Sequence, residues 1–328
     1  MIIDFEHHWT FGGMLTKGKS ASGRVVERSR DKDGNIRLRV HEAAGTADGH
    51  LEFMDEAGID MAVLTTNPER GLEDCVEWND LCANVVEGHP GRFAGYASVP
   101  PLAGKKALDE LERAVKSLGL KGVHVMSRSG GHFLDDKVYW PFYEKVSELK
   151  IPVDVHIEAN PPGFDALKAS YALHYVLARE FDMCATTMRI CLGGVLEEFP
   201  DLIFIVNHFG GGISAVLERF DAYLGYVGAG WQDFYPDKPL ITKPWRQYFE
   251  KLYFNMAGRE QGIDTVACAL TNISPKKMLF ATDWPFNYDN DAQAARQYIN
   301  DIRKLDLPSE DIDAVLGGNG ARLLGLSK

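Results

Sequence analysis

Short apolar runs alternate with segments of helical periodicity along the 328-residue chain, and this alternation restricts the fold more than any other feature. Such runs, separated by helices, are typical of parallel β-strands that are buried on both faces. Because eight of them occur, the sequence predicts an α/β fold with a (β/α)8 barrel, the TIM barrel. The main alternative is a doubly wound open sheet, but no glycine-rich turn follows the first strand. The predicted strands are residues 2–8, 61–67, 93–99, 122–126, 152–156, 202–208, 252–256 and 278–283.

The longest interruption of this pattern follows the first strand, within residues 16–45. Two alternating segments flank a turn at residues 33–34, which predicts a β-hairpin inserted after strand 1. The alternation leaves one face of this hairpin basic. Two interpretations stay open: a solvated excursion over the end of the fold, or a segment in which Arg37, Arg39 or His41 meets an anionic ligand.

The composition limits the kinds of molecule that the protein is expected to bind. No linker or low-complexity tract divides residues 1–328, so a single domain is predicted. A formal net charge of -12 opposes nucleic acid binding, and no apolar run approaches the roughly 18 residues of a membrane span. The five cysteines are widely spaced and read as reduced thiols. Because the first strand begins at residue 2, we expect no signal sequence and a cytoplasmic protein that acts on small molecules.

Polar side chains stand at the carboxyl ends of several predicted strands. In a barrel these ends converge on one opening, where active sites lie. Carboxylates and imidazoles aimed at a common point are typical ligands of a divalent cation with an open coordination position. Each residue alone is more often structural, but their joint placement predicts a metal site. The residues are Glu6 and His8 (strand 1), His156 (strand 5), His208 (strand 6) and Asp283 (strand 8).

Several motifs along the chain resemble the amidohydrolase superfamily. Within it, they are most similar to the branch of aminocarboxymuconate semialdehyde decarboxylase and the hydroxybenzoate decarboxylases, and the resemblance covers essentially the whole chain. The motifs are residues 4–8 (DFEHH), 54–60 (MDEAGID), 90–93 (PGRF), 153–156 (VDVH), 193–200 (GGVLEEFP), 207–212 (NHFGGG) and 281–286 (ATDWPF).

This resemblance implies one divalent metal ion per chain, zinc or manganese, and roles for particular residues. The implied metal ligands are Glu6, His8, His156 and Asp283, with His208 as the acid/base residue beside the metal. Asp283 is also a candidate for proton delivery. Where the semialdehyde decarboxylase has His-x-His, this chain has Glu6-x-His8, and the harder oxygen donor favours manganese. The hydroxybenzoate enzymes can carry an acid shortly after the equivalent of His208, and residues 209–212 offer none.

The same resemblance suggests how a substrate is held. Arg219 matches an arginine that reaches the neighbouring subunit's site, which implies a homodimer or higher homo-oligomer; a surface ion pair is the alternative. His41 lies near a substrate-binding arginine of the family. Trp284 and Phe286 follow a predicted metal ligand and are expected to wall the pocket.

Two reactions fit these residues. The first is the non-oxidative decarboxylation of a small aromatic or unsaturated carboxylic acid, in which the metal stabilises developing charge and His208 or Asp283 supplies the replacing proton. The second is metal-dependent hydrolysis of a lactone, ester or amide at the same site. A binding protein without catalysis is a third class, disfavoured because every expected ligand is present.

Overall fold

The structure, a computed structural model, describes residues 1–11, 15–18, 23–30, 36–66, 71–158, 161–168, 171–226, 238–257 and 262–326. All eight predicted strands are present in it, although several are shorter than expected. The strands are β1 (Ile3–His8), β2 (Leu15–Thr16), β3 (Val26–Arg30), β4 (Ile36–His41), β5 (Met61–Thr65), β6 (Phe93–Gly95), β7 (Ala97–Ser98), β8 (Val123–Met126), β9 (Arg128–Ser129), β10 (His132–Phe133), β11 (Val153–His156), β12 (Phe204–Val206), β13 (Tyr253–Asn255) and β14 (Met278–Leu279).

Helices follow most of the parallel strands. They are α1 (Ala47–Ala57), α2 (Leu72–Gly88), α3 (Lys105–Lys116), α4 (Trp140–Leu149), α5 (Arg179–Leu192), α6 (Val195–Glu198), α7 (His208–Gly212), α8 (Leu217–Tyr226), α9 (Arg246–Phe249), α10 (Gly262–Leu270), α11 (Ala292–Ile302), α12 (Ser309–Asp313) and α13 (Asn319–Leu323). Within the described ranges, no helix combines the length and the apolar character needed to cross a membrane.

The parallel strands form two sheets, ordered β1-β5-β6 and β14-β13-β12-β11-β8-β7. Strands β6 and β7 together make up the single predicted strand at residues 93–99. The last strand is also joined to the first, since the backbone N–H of Phe5 donates to the carbonyl of Phe280 over 2.9 Å and His7 forms a parallel bridge with Trp284. The prediction of a mixed α/β fold with parallel strands is confirmed.

A β-bulge in β1 sets which side chains reach the inside of the fold. The register of β1 on β5 shifts between Asp4 and His7. Before the shift, Ile3 and Phe5 belong to an apolar cluster with alternate residues of neighbouring strands. After a bulge the side-chain alternation changes phase, so Glu6 and His8 can continue the same face. One strand therefore contributes apolar packing at its start and polar groups at its end.

The sequence predicts a long helical segment before strand β12, clearest at residues 173–184 and 191–199. In the structure, a π-helical turn at His174–Ala178 leads directly into α5, which continues to Leu192, and the chain breaks at Gly194, where φ is +82°. Glycine adopts this left-handed conformation without steric cost, so the break falls there rather than at the polar residues before it.

The strands of the predicted hairpin pair antiparallel, with Val26 opposite Val40, while its turn at residues 33–34 lies outside the described residues. The pair packs against the segment that follows the last strand. Asp289 accepts hydrogen bonds from the backbone N–H groups of Val25 and Val26, and Arg28 donates to the carbonyl of Phe286 over 2.8 Å. These contacts hold β3 and β4 beside the carboxyl ends of the parallel strands.

Candidate metal centre

Four polar side chains meet where β1, β11 and the segment after β14 end. One ligand atom from each of Glu6, His8, His156 and Asp283 lies within 4.8 Å of the other three. The Nε2 atom of His8 is 3.0 Å from Asp283 Oδ1, and His156 Nε2 is 3.4 Å from Glu6 Oε1. The structure therefore brings together the four residues that the sequence predicts as metal ligands.

Neighbouring groups fix the orientation of these side chains. The Nδ1 atom of His156 donates to the carbonyl of Ile157 over 2.9 Å, which leaves Nε2 facing Glu6. Thr65 Oγ1 lies 3.1 Å from Nδ1 of His8, and Asn207 donates to Glu6 Oε1 over 2.9 Å. Hydrogen bonds of this kind select the histidine tautomer and hold ligands in place for a metal.

The backbone is strained at two of the predicted catalytic residues. His208 has φ +56° and Asp283 has φ +55°, in the left-handed region that residues other than glycine rarely adopt. Such conformations cost about 1–3 kcal/mol and persist where the surrounding structure enforces them. At Asp283 the backbone N–H donates to the carbonyl of Glu6 over 2.8 Å, which ties this residue to β1.

The charges of the cluster favour a cation at its centre. Burial alone would raise the pKa of Glu6, but a hydrogen bond to His8 and the charge of His208 hold that pKa below its usual value. Burial alone would lower the pKa of His8, yet Asp283 and Glu6 raise it to about 10. The two buried carboxylates thus draw positive charge into the cluster.

The residues fit a divalent metal ion. Within the described residues, the buried Oε2 atom of Glu6 has no hydrogen-bond partner, which is unusual for a buried carboxylate oxygen. Two carboxylates and two imidazoles form a donor set that suits manganese or zinc. The ion would be held by Glu6, His8, His156 and Asp283.

His208 stands at the edge of the cluster, with Nε2 3.8 Å from Glu6 Oε1. Its other ring nitrogen, Nδ1, donates to Glu180 Oε1 over 2.9 Å. Glu180 belongs to α5, and α5 approaches closely because residue 211 is glycine: a Cβ there would lie 2.0 Å from the carbonyl oxygen of Glu180. Sequence reasoning missed Glu180, which supplies from another helix the acid that residues 209–212 lack.

A second histidine–carboxylate pair lies on the other side of the cluster. His124 on β8 and Asp154 on β11 are opposite each other in the strand register, and their side chains are hydrogen-bonded and buried. The ring of His124 is 5.3 Å from that of His156 and 6.2 Å from that of His8. The sequence contained a signal for this pair, since an acid at the centre of the apolar strand β11 must be buried.

The predicted substrate-binding residues are placed differently from one another. The ring of Phe286 is 5.4 Å from that of His8, so this residue does border the cluster. Trp284 stacks on His7 at 5.0 Å and packs against Phe53, on the opposite side of β1, so the structure does not bring it to the cluster. The reason is the alternation of side chains along β1, which directs His7 away from His8.

Two further predicted residues lie apart from the cluster. His41 is buried in the sheet of the hairpin, with Nε2 3.3 Å from Glu27 Oε2. Arg219 is exposed on α8, where it contacts Tyr223 through a hydrogen bond of 3.3 Å. Within one chain, neither residue joins the metal ligands.

Comparison with known proteins agrees with this geometry. The sequence profile of the amidohydrolase family matches residues 3–326, almost the entire chain. The chain belongs to the amidohydrolase family. This confirms the resemblance drawn from its motifs.

Proteins similar to this chain are named for more than one reaction. A gamma-resorcylate decarboxylase of Polaromonas sp. is 30% identical over 75% of this chain and 79% of the relative. The 2-amino-3-carboxymuconate-6-semialdehyde decarboxylase of Dictyostelium discoideum is 25% identical over 90% of this chain and 80% of its own. A 2-keto-4-carboxy-3-hexenedioate hydratase of Sphingobium sp. is 27% identical over 98% of this chain and 96% of its own.

A solved structure shows the same fold. The dihydroxybenzoic acid decarboxylase of Polaromonas sp. JS666, crystallised with manganese and the inhibitor 2-nitroresorcinol, superposes with a TM-score of 0.75. It is 25% identical and covers 100% of this chain and 97% of its own. The arrangement of strands and helices is therefore that of a metal-containing decarboxylase of known structure.

Proposed function

We propose that this protein is a metal-dependent decarboxylase that removes carbon dioxide, without an oxidant, from a small aromatic or unsaturated carboxylic acid. The observation that carries the proposal is the cluster of Glu6, His8, His156 and Asp283 with His208 at its edge. The decarboxylase relatives support it. Manganese is the proposed ion because Glu6 contributes a hard oxygen donor and the solved relative contains manganese.

The chain's own residues have separate tasks in this reaction. A divalent ion at the cluster supplies Lewis-acid stabilisation of the negative charge that develops as carbon dioxide leaves. His208, held through Nδ1 by Glu180, presents Nε2 towards the cluster and is placed to hand a proton to the carbon that loses its carboxyl group. Asp283 is the second candidate for this proton transfer. Phe286 provides an apolar wall next to His8.

The architecture of the proposed enzyme follows from the strand order. The two parallel sheets and the hydrogen bond from Phe5 to Phe280 support one closed (β/α)8 barrel, built as a single domain from the whole chain, with residues 16–45 as an insertion. The cluster then lies at the barrel's opening, as active sites of such barrels do. The acidic net charge and the absence of basic runs disfavour nucleic acid and support a small-molecule substrate, and a cytoplasmic location is part of the proposal.

A homodimer, or a higher homo-oligomer, is part of the proposal. Arg219 is exposed on α8, and the apolar side chains of Val216 and Tyr223 beside it are 36% and 47% exposed. Such a surface suits contact with a second copy of the chain. In that assembly Arg219 reaches a substrate carboxylate in the partner subunit's site. The hairpin carrying His41 contributes to the rim of the opening.

Carbon dioxide release tests the proposal directly. The manganese-loaded protein is offered ring-hydroxylated benzoates and carboxylated muconate semialdehydes, and release from at least one of them is expected. His208→Ala should reduce kcat by about a thousandfold, within the range for loss of a general acid, while manganese content stays at one ion per chain. No release from any of these acids by a metal-loaded preparation would contradict decarboxylation.

The relative named as a hydratase defines the second candidate reaction. It matches 98% of this chain, so addition of water to an unsaturated acid fits the same overall length and family. Hydrolysis of a lactone, ester or amide is the third candidate. Measuring carbon dioxide, rather than loss of substrate, separates the first reaction from the other two.

A further inference from the structure

One partly buried arginine beside the cluster differs from the others in the chain. In the part of the chain that the structure describes, five arginines are partly buried. Four of them form ion pairs with carboxylates: Arg92 with Asp55, Arg113 with Asp80 and Glu110, Arg128 with Asp182, and Arg246 with Asp221. Arg179 is the exception, since no described carboxylate lies within 4.0 Å of its guanidinium group.

The exception is costly for the folded protein. The Nε atom of Arg179 is buried and has no hydrogen-bond partner among the described residues. Its guanidinium carbon lies 5.8 Å from the centre of the Tyr175 ring, a contact that gives Nε no acceptor. A buried donor without a partner loses its hydration without compensation, and this loss is larger for a charged group. A buried arginine of this kind is expected where a bound ligand supplies the missing acceptor.

Arg179 also stands at the right place for a substrate. It is the first residue of α5, and the next residue, Glu180, is bonded to His208. His208 Nε2 in turn lies 3.8 Å from Glu6 Oε1, so the start of α5 is beside the cluster.

Charge balance indicates what Arg179 binds. Glu6 and Asp283 together cancel the charge of one divalent ion. The reacting group would lie at the cluster, whereas Arg179 offers a separate positive charge with planar, paired donors that match a carboxylate. Resting on the proposed function, we propose that Arg179 binds a second carboxylate of the substrate, and that the preferred substrate is a dicarboxylic acid.

Equilibrium binding tests this proposal without turnover. Isophthalate and terephthalate carry two carboxylates, benzoate carries one, and none has the ring hydroxyl of the proposed substrates. Calorimetry on the manganese-loaded protein is expected to show tighter binding of at least one dicarboxylate than of benzoate. Arg179→Gln should weaken that dicarboxylate at least tenfold and change benzoate by less than twofold, whereas Arg179→Lys keeps part of the preference.

The matched control is Arg303→Gln, which removes the same charge from an exposed arginine that bonds only Asn300 among the described residues. It should leave both affinities unchanged. Equal weakening of dicarboxylate and benzoate by Arg179→Gln, or no preference in the unaltered protein, overturns the proposal. Metal content and circular dichroism of each variant confirm that the fold is intact.

A kinetic comparison separates this proposal from the proposed function. With 4-hydroxyisophthalate and salicylate as substrates, Arg179→Gln should raise KM for the dicarboxylate and leave kcat nearly unchanged. If no acid releases carbon dioxide but the dicarboxylate preference still depends on Arg179, decarboxylation fails and the binding proposal stands. If carbon dioxide is released and Arg179→Gln changes no preference, decarboxylation stands and the binding proposal fails.

Discussion

Two histidine–carboxylate pairs flank the metal ligands, and they differ in how each is built. His124 and Asp154 face each other on adjacent parallel strands, and both side chains are almost completely buried. His208 and Glu180 come from α7 and α5, and the Glu180 side chain remains 18% exposed. In both pairs the carboxylate bonds Nδ1, so each histidine turns Nε2 in a defined direction.

This difference favours a structural role for the first pair and a catalytic role for the second. Burial raises the pKa of Asp154, and the ring of its partner His124 packs against His156. The His124–Asp154 pair is enclosed by strands and packs beside a metal ligand, which suits a supporting role. His208 is equally buried, but its Nε2 is 3.8 Å from Glu6 Oε1 and its partner Glu180 is 18% exposed, so this pair is less enclosed. The same two residue types thus acquire different roles from their surroundings.

The buried pair should matter most for stability. Asp154→Ala leaves His124 Nδ1 buried without its acceptor, and breaking a buried charged pair costs about 3–5 kcal/mol. We expect the free energy of unfolding, measured by urea denaturation, to fall by about 3 kcal/mol. Asp154→Asn keeps an oxygen acceptor and should lose less than half as much. A loss below about 1 kcal/mol in the alanine variant, the net value of an ordinary hydrogen bond, would show that this pair is not a structural support.

The strands and the polar residues at their ends can be predicted from the sequence. Apolar periodicity identifies the strands, and the convergence of strand ends predicts a metal site among five polar residues. The family resemblance then implies which four of them are the ligands. Alternation of side chains along a strand places Glu6 and His8 on one side of β1. The bulge between Asp4 and His7, which lets Ile3 and Phe5 share that side, has no sequence signature of this kind.

The contacts that α5 makes with the site cannot be predicted from the sequence in the same way. Glu180 reaches His208 only because α5 and the left-handed turn at Gly211 pack closely, a contact between residues 31 positions apart. No local pattern encodes such a contact. The structure places Trp284 beside His7 for a related reason, since its neighbour Asp283 turns into the cluster while Trp284 forms a bridge to His7 on β1.

The pair of His208 and Glu180 should matter most for the rate of decarboxylation. Glu180→Ala removes the acceptor that orients His208, and loss of such an orienting partner typically costs 10–100-fold in activity. We expect kcat for carbon dioxide release to fall about thirtyfold, in the middle of that range, with little change in KM. The free energy of unfolding should change far less than in Asp154→Ala, because Glu180 is partly exposed.

Conservative variants at the same position distinguish orientation from charge. Glu180→Gln retains an oxygen that can accept from Nδ1 and should recover part of the lost kcat, whereas Glu180→Asp shortens the side chain by one methylene and should recover less. If all three variants keep the full rate, Glu180 does not orient His208. Manganese content, measured for each variant, shows that the metal ligands themselves are undisturbed.

The smallest expected effect tests how α5 is brought to His208. Gly211→Ala and Gly212→Ala both place a side chain at positive φ, +72° and +70°, so each costs about 1–2 kcal/mol of backbone strain. Only at Gly211 would the new Cβ meet the carbonyl oxygen of Glu180; at Gly212 the Cβ meets nothing within 4 Å. Gly211→Ala should therefore lower kcat several-fold and Gly212→Ala should not. Because both Gly211→Ala and Glu180→Ala act through His208, their effects on kcat should not add in the double variant. Full additivity would mean that the close packing at Gly211 serves only to stabilise the fold.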